Sequence, residues 1–151
     1  FTLYFPLVKV EKSSYPLKEL EPQLSHSGGE HILVVEDELE IREIASAQLT
    51  SMGYKVDSAE NALLALDMLE NGSAYDCVFT DILMPGGVSG VELARKIRET
   101  WPTTKVIITT GFAQKYADDE LLSILPLLPK PYRKQELQQI VRQTLDHKAP
   151  N

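Results

Sequence analysis

The chain has 151 residues, with 15 Lys plus Arg against 22 Asp plus Glu, a formal net charge of -7 and 43% hydrophobic side chains. That is enough apolar material for the core of one domain with some residues to spare, and it excludes disorder of the whole chain. A single cysteine, Cys77, excludes a disulfide framework or a Cys-based zinc site within the chain, and His26, His31 and His147 show no metal-ligand spacing. No apolar stretch approaches the ~20 residues that span a bilayer, no signal-peptide layout is present, and the acidic balance argues against a nucleic-acid surface. The expectation is a cytoplasmic α/β protein with no nucleic-acid partner and no direct membrane contact.

Residues 1–29 carry three Lys and three Glu, so the whole net charge lies in residues 30–151. The chain opens on Phe1-Thr2-Leu3-Tyr4-Phe5-Pro6-Leu7-Val8, an aromatic and β-branched run that reads as a strand. Lys9 to Gly29 holds no period and is marked by Pro16, Pro22, Ser25, Ser27, Gly28 and Gly29 as a linker. The missing initiator Met and the apolar start favour a fragment of a longer chain over an N-terminal arm packed on the domain.

From Glu30 onward the pattern alternates. His31–Val35 predicts a strand buried on both faces. Ile41, Ile44, Ala45, Gln48, Leu49 and Met52 predict a helix stopped by Gly53. Tyr54–Ser58 reads as a more exposed strand and Asn61–Leu69 as a helix. Asp76–Thr80 is a second buried strand, followed by a Pro-Gly-Gly loop and a helix over about 88–100. Lys105–Thr109 is a third buried strand, with a short helix filling Gln114–Ile124 and a minimal strand at Pro126–Leu128. Leu137, Ile140, Val141, Thr144 and Leu145 form the apolar stripe of a last helix. Five strands alternating with five helices predict a parallel sheet covered on both faces, with its functional crevice at the carboxyl ends of the strands.

Those ends carry the chemistry. The first strand ends in Glu36-Asp37-Glu38, the third in Thr80-Asp81, the fourth in Thr109-Thr110-Gly111 and the fifth in Lys130-Pro131. Carboxylates gathered together repel one another unless a cation lies among them, and an all-oxygen donor set suits a hard ion such as Mg2+. A carboxylate nucleophile, a metal and a lysine are what phosphoryl transfer to an aspartate requires. Each piece alone has an ordinary explanation, and Glu38 reads better as a solvated residue at a helix start. Their succession on four strand ends is what chance does not supply.

Ile32-Leu33-Val34-Val35-Glu36-Asp37-Glu38, Thr80-Asp81-Ile82-Leu83-Met84-Pro85 with Gly90 following, Thr110-Gly111 and Lys130-Pro131 together resemble the receiver (response-regulator) domain of two-component signalling, over residues 30–148. The resemblance implies a flavodoxin-like, doubly wound five-stranded parallel sheet in the order 2-1-3-4-5. It implies Asp81 as phospho-acceptor, with Asp37, Asp81 and the Leu83 backbone carbonyl holding Mg2+ and Glu36 acting through a bound water. Lys130 would pair with the Asp81 carboxylate or phosphoryl group, and Thr110 would be the switch hydroxyl. The implied partner is a histidine-kinase dimerisation and phosphotransfer domain or a histidine phosphotransfer protein. Residues 1–8 are similar to the closing strand of a histidine-kinase ATP-binding domain. With 9–29 as linker and 149–151 as tail, this points to the C-terminal receiver of a hybrid histidine kinase whose parent chain can be membrane-anchored. The fragment itself would have at most self-phosphorylation and dephosphorylation activity.

Three features depart from the family pattern or tune it. Leu127 stands where the family usually has an aromatic ring, which puts the usual coupling of that ring to Thr110 in doubt. The loop 85–90 is one residue longer than the commonest form. Leu83 and Phe112 would flank the path of an attacking water; exclusion of that water, giving a slowly hydrolysed phospho-aspartate, and simple loop packing stand as equal readings. Trp101 is expected to end a helix and pack locally, Cys77 to be an inert core thiol, His31 to open a strand exposed, and Asp118-Asp119-Glu120 to start a helix in solvent. An aspartate-nucleophile phosphohydrolase would want a second Asp at position 83, where Leu83 cannot donate a proton. A non-phosphorylated interaction module would have lost Asp81, Lys130 or the acidic pair.

Overall fold

The computed structural model describes residues 29–72, 74–111, 115 and 118–147. The N-terminal strand and linker expected over 1–28, the tail and Phe112 lie outside the described residues. Among the described residues ten elements alternate: β1 (His31–Val35), α1 (Leu39–Ser51), β2 (Lys55–Ala59), α2 (Ala62–Glu70), β3 (Cys77–Asp81), α3 (Gly90–Thr100), β4 (Lys105–Thr110), α4 (Glu120–Ile124), β5 (Leu127–Pro129) and α5 (Lys134–Asp146). The strands form one parallel sheet in the order β2-β1-β3-β4-β5, as expected.

The apolar runs explain the layering. Successive side chains of a strand point to opposite faces, so a strand covered on both sides must be apolar throughout. Along β1, Ile32 and Val34 enter one core and Leu33 and Val35 the other; β4 divides likewise, with Ile107 against Val106 and Ile108. Ala45 and Leu49 of α1 and Leu137 and Val141 of α5 close the first core. Ala62, Ala65 and Leu69 of α2, Leu93, Ala94 and Ile97 of α3, and Leu121 and Leu122 of α4 close the second. Each such Leu or Ile contributes about 1.5–3 kcal/mol on leaving water. No helix among the described residues is long and apolar enough to cross a membrane.

Local signals set the helix ends. Asn61 caps α2 through the Leu64 amide at 2.8 Å, Ser89 and Glu92 form a reciprocal capping box on α3, and Asp119 accepts from the Leu121 and Leu122 amides at the start of α4. Trp101 follows α3 and packs half-buried on the second core, as expected. His31 differs from the expectation of an exposed residue. Its Nε2 lies 2.9 Å from Asp57 Oδ2, which also accepts from the Tyr75 hydroxyl at 2.7 Å, and its ring lies 4.4 Å from that of Tyr75. Three residues distant in sequence thus tie β1, β2 and the loop before β3 together at the amino end of the sheet, away from the strand-end carboxylates.

Candidate functional site

Strand order reverses between β1 and β3, and the residues that follow them meet there. Glu36 and Asp37 lie just beyond β1, Asp81 is the last residue of β3, Thr110 the last of β4, and Lys130 follows β5. Parallel pairing sets Asp81 opposite Thr109 and Thr110 opposite Pro129, and the Lys130 amide donates to the Thr110 carbonyl at 2.9 Å. The side chains of Glu36, Asp37, Asp81 and Lys130 meet at this one rim, and Thr110 ends the neighbouring strand.

The carboxylates of Glu36, Asp37 and Asp81 each bring an oxygen to within 4.8 Å of the others. Lys130 Nζ stands between two of them, 2.8 Å from Glu36 Oε1 and 2.8 Å from Asp81 Oδ2. Asp81 Oδ1 accepts from the Leu83 amide at 3.4 Å. Glu36 is 3% exposed and Asp81 8%, so both anions are nearly out of water, whereas Asp37 is exposed. Burial pushes the Glu36 carboxyl up from 4.5 to about 7, against the lowering effect of the Lys130 ammonium. The two carboxylates facing Lys130 outweigh its own desolvation and hold its proton above the usual lysine range. Three carboxylates against one ammonium leave excess negative charge, in an all-oxygen set suited to a hard divalent cation.

Two glycine features shape the rim. A Cβ on Gly90 would lie 2.0 Å from the Asp81 carbonyl oxygen and 2.9 Å from Ile82 Cα, so only glycine lets α3 start against the end of β3. The Gly90 amide uses that approach to donate to the Ile82 carbonyl at 2.8 Å. Gly86 and Gly87, with φ of 106° and 87°, turn the connecting loop through the left-handed region that other residues rarely adopt.

Sequence reasoning did not identify the second partner of Lys130, Glu36, which lies 94 residues away in the chain. It also passed over Arg42, whose Nη1 donates to the Glu36 carbonyl at 2.7 Å. An arginine one turn into the helix that follows an acidic strand end was the available signal. Leu83 is 43% exposed beside Asp81, and Leu127 is half-buried against the second core.

A family model described as the response regulator receiver domain matches residues 32–142. The sensor kinase CckA of Brucella abortus (strain 2308) is 34% identical over 136 residues, covering 85% of this chain, which in turn spans only 14% of CckA. The response regulator TrrA of Thermotoga maritima, crystallised with Mg2+–BeF, superposes with a TM-score of 0.69 at 36% identity, covering 76% of this chain and 98% of TrrA. TrrA in complex with the histidine kinase ThkA superposes with the same TM-score at 35% identity, over 78% of this chain and 99% of that one. With the family model covering most of the chain and the sheet order in agreement with the superposed structures, the chain belongs to the response regulator receiver domain family of two-component signalling.

Proposed function

We propose that Asp81 takes a phosphoryl group from a phosphohistidine while Mg2+ is bound at the acidic pocket, and that the chain then switches conformation or passes the phosphate on. The observation that carries this reading is Lys130 Nζ at 2.8 Å from both Glu36 and Asp81, within a cluster of three carboxylates. The complex of TrrA with Mg2+–BeF supports it. Asp37, Asp81 and the Leu83 backbone carbonyl would hold the ion, with Glu36 reaching it through a water. When bound, the ion neutralises charge on the carboxylates and on the oxygens of the transferring group.

The rest falls to the chain's own residues. An Asp81 oxygen forms the bond to phosphorus as the phosphorus–nitrogen bond of the donor breaks, and the electron pair leaves on the imidazole. Lys130 holds the carboxylate in place beforehand and offers its ammonium to the phosphoryl oxygens afterwards, while Glu36 keeps it from swinging away. Thr110, 1% exposed at the end of β4, is the switch hydroxyl that turns to the phosphoryl group. Leu127 presents no aromatic ring to follow that turn, so output runs through another face.

The donor is read as a histidine-kinase dimerisation and phosphotransfer domain or a histidine phosphotransfer protein, a partner class supported by the ThkA–TrrA complex. The chain is read as the receiver of a hybrid kinase, with residues 1–8 from the kinase's last strand and 9–29 as linker. The match to a sensor kinase supports a hybrid-kinase origin, and at 85% of the chain the CckA alignment is longer than residues 30–151 and so reaches into the segment read as linker. Incubation with acetyl phosphate and Mg2+ tests the core of the reading. Wild type should gain the mass of one phosphoryl group and Asp81→Asn none; no gain in wild type would reduce the chain to an interaction module.

A further inference from the structure

We propose that Arg42 is a positioning residue for the metal pocket, acting through the backbone of the loop that carries Glu36 and Asp37. The inference rests on the Mg2+ reading above and adds a residue to it. The side chain of half-buried Arg42 reaches two successive carbonyls, Nη1 donating to Glu36 O at 2.7 Å and approaching Asp37 O at 3.5 Å, while the next carbonyl, Glu38 O, accepts the ordinary helical bond from the Arg42 amide at 2.9 Å. On the other side, the Glu36 amide donates to the Ala59 carbonyl of β2 at 3.1 Å. The loop is thus pinned through both its donors and its acceptors, and hydrogen bonds from a charged donor are the stronger kind.

Two of the three clustered carboxylates stand on this loop, and like charges drawn within 4.8 Å push one another apart. A fixed backbone resists that repulsion and keeps the oxygens gathered for the incoming ion, the usual role of groups that orient metal ligands from behind. The guanidinium charge acts the other way, since a cation near the pocket repels Mg2+. The two effects differ in sign, so affinity measurements decide between them.

Mg2+ titrations by calorimetry on wild type, Arg42→Met and Arg42→Lys provide the test, with acetyl phosphate labelling rates at limiting and saturating Mg2+. Arg42→Met should bind Mg2+ about tenfold more weakly. Arg42→Lys keeps the charge but loses the fork, and should fall between the two. Labelling of Arg42→Met should be slow at limiting Mg2+ and recover to within about twofold of wild type at saturation, the mark of positioning rather than general loosening. Unchanged or tighter binding by Arg42→Met would overturn the proposal, as would a labelling defect that saturating Mg2+ leaves in place. A lower melting temperature in chelator with unchanged Mg2+ affinity would also overturn it, by making Arg42 merely structural. If Arg42→Met does not fold, Arg42→Lys carries the comparison, and wild-type affinity in that variant overturns the proposal. Wild type that binds no Mg2+ would instead remove the metal reading itself.

Discussion

Lys130→Met isolates the ion pair at the centre of the site. The substitution keeps much of the apolar stem and removes the charge, leaving Glu36 and Asp81 side by side with side-chain exposures of only 4% and 11%. Removing one partner of a buried pair costs about 3–5 kcal/mol. The Lys130 side chain is 20% exposed and Glu36 can take up a proton, so the expected cost at pH 7.5 is about 2–3 kcal/mol. For a receiver of this size that lowers the melting temperature by ~10 °C.

The cost also has a pH signature. The folded Glu36 carboxyl is raised from 4.5 to about 7, so its contribution to stability is complete below the unfolded value and is lost as pH rises through 7. Lys130 lowers that carboxyl, and without it the loss extends to higher pH. Thermal denaturation in chelator should therefore show a gap between the two proteins that widens from pH 5 to pH 8. Saturating Mg2+ should stabilise the variant more than wild type, since the ion supplies the missing positive charge. An unchanged melting temperature, or a gap independent of pH, would refute the ion-pair account.

Other perturbations give separate tests. Gly90→Ala drives a Cβ against the Asp81 backbone and should lower the melting temperature by ~10 °C, about 3 kcal/mol of overpacking, and slow phosphorylation; wild-type behaviour in both would refute the close approach. Leu83→Asn puts a water-orienting amide beside Asp81 and should shorten the phosphoryl half-life severalfold, whereas an unchanged half-life would sink the water-exclusion reading. Cys77 is completely buried and its thiol is pushed up to about 12, so native protein at pH 8 should not react with a thiol-specific disulfide reagent until denaturant is added; prompt reaction would contradict the core placement.

Much of this architecture was legible because buried parallel strands announce themselves as short apolar runs. β1, β3 and β4 fall within a residue of their expected positions, and because the candidate site lies where such strands stop, Asp37, Asp81, Thr110 and Lys130 could be picked out in chain order. What was illegible depends on contacts between distant segments. The Glu36–Lys130 bond and the His31–Asp57–Tyr75 group follow from register and rotamers, which periodicity does not encode. Short elements drifted most. The helix expected to fill Gln114–Ile124 is found only at Glu120–Ile124, where the Asp119 cap fixes its start, and the last strand is Leu127–Pro129 instead of Pro126–Leu128.

The most direct test is to trap the phosphoryl group where it forms. After brief exposure to acetyl phosphate and Mg2+, borohydride reduces an aspartyl phosphate to homoserine, and peptide sequencing by mass spectrometry locates it. The account predicts homoserine at position 81 alone, present with Mg2+ and absent when the ion is chelated. Homoserine at Asp37 or another carboxylate, or none in a protein that has gained phosphate, would contradict it.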